Sequence, residues 1–273
     1  KIMLVIFIIN SQMNDEIKKA IDICKLAQRN YDLKKRLPHN DLETLIYVAT
    51  NSPSKQNETH FNLRVYTDPA RIQAIYDRTK NFTFSTNTRT EEIFTTTGVQ
   101  KDQKYSVTNS QIKANVVFVY CDDTRNIRGG THLTALREDA GPIAKETLFE
   151  QKAMSIGISS GQLVMAAALL GYKTGYCSAF EKTGKDSVQN LLQTESEPRL
   201  IVGVGYPDPN LTRKQHPDVY NKDIGIKEGK HGKDDENWVY PSMIEEDMIK
   251  EAYYNYQKID VWLNDTRVDI NKI

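Results

Sequence analysis

Residues 156–180 read IGISSGQLVMAAALLGYKTGYCSAF, and this stretch decides the fold. Leu163, Val164, Met165, the alanines 166–168, Leu169 and Leu170 follow one another without a charged residue among them. A helix lying on a surface keeps a polar face, so an apolar surround predicts a helix buried on all sides. Ser159, Ser160 and Gln162 interrupt the run, and it falls short of the roughly 20 apolar residues that a bilayer needs. Gly171-Tyr-Lys-Thr-Gly175 then reads as a turn, followed by the small residues Cys177, Ser178 and Ala179 ahead of Phe180. A buried helix that feeds small residues suits a place where backbone comes close to a flat ligand.

The chain around this centre has 273 residues, enough to bury a substantial core as one large domain or two small ones. Lys plus Arg number 36 and Asp plus Glu number 36. No net field therefore draws the protein to nucleic acid or to an anionic membrane, and a small molecule or another protein is the expected partner. Hydrophobic residues make up 39% and charged residues 26%, the values of an ordinary globular protein. Cys24, Cys121 and Cys177 are odd in number and far apart. That pattern argues against a disulfide framework and a zinc site, and favours a reducing, cytoplasmic setting. Scattered histidines without H-E-x-x-H spacing give no basis for metal catalysis. The apolar KIMLVIFII at residues 1–9 resembles an export-signal core, yet no small-x-small cleavage site follows it. The favoured readings of residues 1–14 are a segment foreign to the native chain, a misplaced start, or a strand that packs on a partner.

Local patterning predicts a helix over residues 15–27, capped by Asn14 or Asp15, with Ile17, Ala20, Ile21, Cys24 and Ala27 on one face. A second helix, over residues 41–50, opens with Asn40 and Glu43 in capping-box register and turns Leu42, Leu45, Ile46 and Ala49 inward. It ends at the turn-forming N-S-P-S-K-Q-N of residues 51–57. Residues 61–66 alternate as a strand, 69–79 form a short helix, and the Thr- and Asn-rich residues 80–110 read as an insertion or lid. A buried strand over 116–120 is followed by a polar loop over 122–130 and a helical region reaching about residue 150. Beyond the central stretch come a helix over 183–193, a buried strand over 200–204 and a charged loop over 222–237. Ser242 with Glu245 opens a last helix that runs to about residue 263. Three or four strands among more numerous helices indicate an α+β fold around a small sheet.

This order of elements resembles the FMN-dependent nitroreductase family over about residues 15–215. The likeness rests on a helix ending in an Arg-containing turn, a helix ending in S-P-S-x-x-N, and strands F-x-x-x-V and V-V-F-V. A small-residue central helix ending in L-G and a strand V-G-x-G-Y-P complete it. No single motif is decisive; their order and spacing carry the resemblance. It implies a small, mainly antiparallel sheet surrounded by helices, and an intertwined homodimer with FMN in two equivalent clefts at the interface. The central helix then becomes the spine where two chains meet, with Gln162 as an interface hydrogen-bonder. The implied organisation is an FMN-binding domain over residues 15–221, holding the 80–110 insertion, and a C-terminal extension over 222–273. That extension would pack on the partner subunit through Tyr253, Tyr254, Tyr256, Ile259 and Trp262.

Carried onto this sequence, the resemblance places Arg29, Asn30 and Tyr31 in the turn that grips the flavin phosphate. A guanidinium suits phosphate because it can donate two parallel charge-assisted hydrogen bonds. The turn departs from the family's R-R-S-x-R wording, running Arg29-Asn-Tyr-Asp32, so Lys34 or Lys35 stands in for the missing cation. Outside the resemblance, Arg29 reads as a helix-end charge facing the dipole. Pro53, Ser54, Lys55 and Asn57 fall in the loop that lies along the flavin from the partner subunit, and they equally suit a plain helix-terminating turn. Asn109 or Gln111 reaches the pyrimidine edge. Cys177, Ser178 and Ala179 fall where backbone N–H groups meet the flavin N5/O4 edge, and a donor there orients the ring and stabilises its reduced anion. Many relatives carry a carboxylate where Ser178 stands. Arg213 and Lys214 match the second basic group on the phosphate. Cys177 has no His partner in the sequence and reads as a buried thiol, not a nucleophile.

The implied reaction is ping-pong hydride transfer from NAD(P)H through flavin N5 to a nitroaromatic, quinone or similar electron-poor acceptor. It obliges no protein acid or base. Without a G-x-G-x-x-G, a separate Rossmann domain is not expected. Reductive dehalogenation, flavin destruction and enoate-type reduction are alternatives on the same fold. A flavin-binding dimer without turnover is the alternative from another class.

Overall fold

The structure is a computed structural model that describes residues 15–54, 59–79, 82–85, 104–107, 109–122, 142–210, 261–263 and 266–268. The chain passes through α1 (Asp15–Cys24), α2 (His39–Thr50), β1 (Phe61–Tyr66) and α3 (Pro69–Tyr76). The strands β2 (Phe82–Ser85) and β3 (Lys104–Val107), a 3-10 turn at Ser110–Ile112, β4 (Val116–Asp122) and α4 (Pro142–Leu169) follow. Then come β5 (Lys173–Cys177), α5 (Val188–Leu192), β6 (Pro198–Gly205), and the short strands β7 (Val261–Leu263) and β8 (Thr266–Val268).

The central sheet has the order β1-β4-β6-β5, and every neighbouring pair in it is antiparallel. Alternate residues of β4 face opposite ways. Val116, Phe118 and Tyr120 pack with Leu45 and Ala49 of α2 and with Leu163, Val164 and Ala167 of α4. Val117, Val119 and Cys121 pack with Ile72 and Ile75 of α3 and with Val188 and Leu192 of α5. Helices cover both faces, which is why every residue of β4 is buried. This is the α+β architecture that the pattern predicted: a small antiparallel sheet surrounded by helices. Ser159 interrupts the apolar run of α4 because its hydroxyl donates to Ala49 O at 2.6 Å and lies 3.1 Å from the Tyr120 hydroxyl.

Several local expectations are corrected. Helix α4 begins at Pro142 and is one helix of 28 residues, so the region before residue 150 and the central stretch are continuous. It is not buried all round. Met154, Ile158 and Leu169 are 55%, 43% and 58% exposed, and Gly157, Gly161 and Gln162 are exposed beside them. The sheet, α1 and α2 cover part of the helix and leave this stripe bare. Residues 171–175 are not a turn: Gly171, at φ 87°, closes α4 in the left-handed conformation that glycine tolerates, and Lys173 already belongs to β5.

Helix α1 stops at Cys24, and the Gln28 N–H leaves to pair with Thr174 O at 2.8 Å. Ile17 and Ile21 on it are exposed, and only Ala20 is buried. The capping box of Asn40 and Glu43 does not form. Pro38 occupies the N-cap at φ −55° without a side-chain cap, and Glu43 lies 3.2 Å from His39 Nε2 instead. The helix expected over 183–193 shrinks to Val188–Leu192, opened by the Ser187 hydroxyl on Asn190 N–H and stopped by Gln193 at φ 49°. Within the expected insertion, β2 and β3 pair with each other. Residues 1–14, the loop 222–237, and Tyr253, Tyr254, Tyr256 and Ile259 lie outside the described residues. Where the last helix was expected to end, β7 pairs with β8. Among the described residues, no helix is long and apolar enough to cross a membrane.

Candidate functional site

Strand β5 is an edge of the sheet, and its outward backbone groups must find partners elsewhere. Thr174 O accepts from the Gln28 N–H at 2.8 Å, and Tyr176 O accepts from Gln111 Nε2 at 3.1 Å. Strand alternation sends the Ser178 N–H to the same side. Among the described residues, no group accepts from the Ser178 or Ala179 N–H. Ser178 is exposed and Ala179 half-buried, and both N–H groups lie at the end of the edge strand without a described acceptor.

The 3-10 turn lies flat on β5 and β6 because glycines face it. A Cβ on Gly175 would stand 2.5 Å from Gln111 Cβ and 2.7 Å from Gln28 O. One on Gly203 would stand 2.4 Å from Gln111 O. The Tyr31 hydroxyl donates to that same carbonyl at 3.1 Å. Burial pushes the Tyr31 phenol well above its ordinary range, so it stays a neutral donor.

From this seat the Gln111 side chain organises a polar network. Its Nε2 donates to Asn109 Oδ1 at 3.1 Å as well as to Tyr176 O, and its Oε1 accepts from Arg29 Nη1 at 3.3 Å. Asn109 Nδ2 in turn donates to Ala179 O at 3.0 Å. Arg29, Asn109, Gln111 and Ala179 are thus joined, although they are distant in the chain. Asn30 is buried nearby, and both its carbonyl and its Oδ1 accept from Gln28 Nε2, at 2.7 and 3.0 Å. The backbone of Tyr31 and Asp32 is held at the end of β6 by a bridge from Tyr31 to Pro207 and by Asp32 N–H on Tyr206 O at 2.9 Å.

Lys34 and Lys35 are exposed on the same loop; Lys35 Nζ sits 3.5 Å from Asp32 and 5.1 Å above the Tyr206 ring. Pro53 is exposed, and Ser54 Oγ accepts from the Thr59 N–H at 2.8 Å; no described hydrogen bond joins either to the network. Lys55, Asn57, Arg213 and Lys214 lie outside the described residues.

Cys177 is buried in the second core, its Sγ 3.7 Å from Ala179 O, and burial pushes its thiol up to about 11. It is a protonated thiol at neutral pH, as expected for a group that is not a nucleophile. Burial likewise pushes Cys121 up to about 11. Between the ordinary value of 9.0 and about 11, the folded chain keeps protons that the unfolded chain has lost. Stability should therefore fall as pH rises through that window. Urea midpoints between pH 8 and pH 11 test this, and the fall should be shallower in a Cys121→Ala/Cys177→Ala variant. An identical slope in the two proteins would refute the thiol contribution.

Sequence reasoning missed Gln28 and Asn115. Asn115 Nδ2 donates to Asp32 O and Lys35 O at 2.8 and 2.7 Å, and its Oδ1 accepts from the Tyr206 N–H at 3.0 Å. It ties the Arg29 loop to the end of β6. The only signal for either residue was an amide beside an apolar segment, which is too common to single one out.

The family model described as Nitroreductase family matches residues 27–206, a span that includes the whole central sheet and the network. A sequence search of the curated proteins found no match. Solved structures share the fold at low identity. A Staphylococcus epidermidis protein designated an NAD(P)H:FMN oxidoreductase is 13% identical over 74% of this chain and 91% of that one, with a TM-score of 0.50. A nitroreductase family protein from Streptococcus pneumoniae is 19% identical over 72% of this chain and 92% of that one, at 0.47. An Exiguobacterium sibiricum protein designated a nitroreductase, solved in complex with FMN, is 14% identical over 74% and 92%, at 0.49.

Proposed function

The chain belongs to the nitroreductase family, and on that footing we propose that it is an FMN-dependent oxidoreductase working as a homodimer in a reducing cytoplasm. The observation that carries this reading is the Ser178–Ala179 backbone, whose N–H groups have no described acceptor and whose Ala179 carbonyl is tied through Asn109 and Gln111 to the Arg29 guanidinium. Donors at one end and a cation at the other suit a ligand with an acceptor-rich ring and an anionic tail, and FMN is such a ligand. When bound, FMN supplies the hydride chemistry between NAD(P)H and an electron-poor acceptor such as a nitroaromatic or quinone.

The protein's part is binding and orientation. With FMN bound, Ser178 and Ala179 would donate to the N5/O4 edge, with the protonated thiol of Cys177 behind them. Asn109 and Gln111 would meet the pyrimidine edge. Arg29, with the backbone of Asn30 and Tyr31, would hold the phosphate, joined by Arg213 and Lys214 as the resemblance implies. Pro53, Ser54, Lys55 and Asn57 would come to the ring from the second copy on the same ground. The exposed stripe of α4 recurs every three or four residues from Met154 through Gly157, Ile158 and Gly161 to Gln162, returns at Leu169, and gives that copy a place to pack.

Addition of FMN at a hundred times its dissociation constant should stabilise the protein by about 2.7 kcal/mol. For a domain of this size that raises Tm by roughly 5–10 °C. NADH or NADPH should then bleach the yellow colour. A colourless protein whose Tm ignores FMN would defeat the proposal. A yellow protein that neither nucleotide bleaches would leave the second reading, a flavin-binding dimer without turnover. Asp32, standing where the family places a cation, favours that reading.

A further inference from the structure

We propose that Asp32 is a specificity-determining residue whose fixed carboxylate weakens the preference of the site for a phosphorylated flavin over an unphosphorylated one. This rests on the FMN reading above, which puts the phosphate on the backbone of Asn30 and Tyr31. Asp32 is the next residue, and consecutive Cα atoms lie only about 3.8 Å apart. Its backbone is held on every side. The N–H donates to Tyr206 O at 2.9 Å, and the carbonyl accepts from the Lys35 N–H at 3.2 Å and from Asn115 Nδ2 at 2.8 Å. Asn115 has one orientation in this role, since Nδ2 also meets Lys35 O and Oδ1 meets the Tyr206 N–H. Its side chain lies flat over Gly205, where a Cβ would stand 2.0 Å from Asn115 Oδ1. The Asp32 side chain is fixed as well, because its Oδ1 accepts from the Lys34 N–H at 3.2 Å.

Among the described residues, the cation on this carboxylate is Lys35, whose Nζ lies 3.5 Å from Oδ2 and 5.1 Å from the centroid of the Tyr206 ring. The Lys35 side chain is 56% exposed and that of Asp32 only 17%. An exposed ammonium on a flexible stem answers a carboxylate incompletely, and here the carboxylate is the member of the pair that cannot move. A fixed negative charge next to the phosphate loop opposes a second anion, and it leaves a neutral ribityl tail alone. Asp32 thus discriminates between flavins by charge.

The test compares dissociation constants for FMN and riboflavin, measured by flavin fluorescence quenching on protein freed of flavin. The two ligands differ only in the phosphate. Asp32→Asn keeps an acceptor for the Lys34 N–H but removes the charge, so the FMN-to-riboflavin preference should rise about threefold to fivefold. At about 1 M salt, where screening acts within about 3 Å, most of that gain should vanish. Damage to the loop would weaken FMN binding, so a salt-sensitive gain is a result that a merely structural role does not give. Lys35→Gln, on an exposed side chain, uncovers the carboxylate and should lower the preference; it carries the test where Asp32→Asn fails to fold. Wild type that binds FMN, with a ratio no higher in Asp32→Asn or no lower in Lys35→Gln, overturns the role of Asp32 alone. Wild type that binds neither flavin overturns the FMN reading and the role of Asp32 with it.

Discussion

Replacing Gly203 by alanine should lower Tm by roughly 6–12 °C, corresponding to about 3 kcal/mol for a domain of this size. The new Cβ would stand 2.4 Å from Gln111 O, 3.0 Å from Ala114 Cβ and 3.1 Å from Ile112 Cα. These atoms belong to the 3-10 turn and the residues just after it, so no flexible side-chain tip can yield. The turn must lift from β6 instead, carrying the Gln111 carbonyl away from Tyr31 and the Gln111 amide away from Arg29 and Tyr176. Flavin binding should weaken along with stability. Thermal melts of Gly203→Ala beside wild type measure the effect. A Gly203→Ala protein that melts with wild type would mean that the turn does not lie on the sheet as described.

Gly161→Arg should leave the single chain folded while raising the dimer dissociation constant about a thousandfold. Gly161 is exposed on α4, and a Cβ there meets nothing within 4 Å. The position also gains helix propensity on losing glycine. Against a second copy packed on the stripe of Met154, Ile158 and Leu169, the same change buries a bulky unpaired charge. That costs several kcal/mol, and about 4 kcal/mol is three powers of ten. Because the second copy would bring Pro53, Ser54, Lys55 and Asn57 to the ring, FMN affinity should drop with dimerisation. Sedimentation velocity across a concentration series, with far-UV circular dichroism to confirm the fold, measures both effects. A Gly161→Arg protein that stays dimeric would remove α4 from the proposed interface.

The strand β4 was legible because burial on both faces demands an unbroken apolar run, and V-V-F-V-Y is one. The helix α2 was legible from Leu42, Leu45, Ile46 and Ala49, of which Leu45 and Ala49 are fully buried. Its start was not, since Pro38 takes the cap that Asn40 and Glu43 were expected to provide. Strand β5 was misread because K-T-G-Y-C contains a glycine and begins two residues after another, Gly171, a composition that a turn shares. Only its antiparallel pairing with β6 separates the two readings.

At the candidate site, the identities of Arg29, Asn109, Gln111 and Ala179 came from resemblance and order. Their connection came from the fold: Arg29 meets Gln111 across 82 positions, Asn109 meets Ala179 across 70, and Gln111 meets Tyr176 across 65. The sequence by itself determined the helix α2, the buried strands β1, β4 and β6, and which positions carried small residues, since burial periodicity and local backbone preference are set by near neighbours. The tertiary structure decided that β5 is an edge, that α4 is exposed on one side, and that one glutamine links the Arg29 guanidinium to Asn109 and to the end of β5. Those facts depend on the order β1-β4-β6-β5, which no short window of residues encodes. The stretch at 156–180 was thus readable as an apolar helix leading into small residues, but which of its sides is covered, and what it presents to a ligand, depended on the residues the fold set beside it.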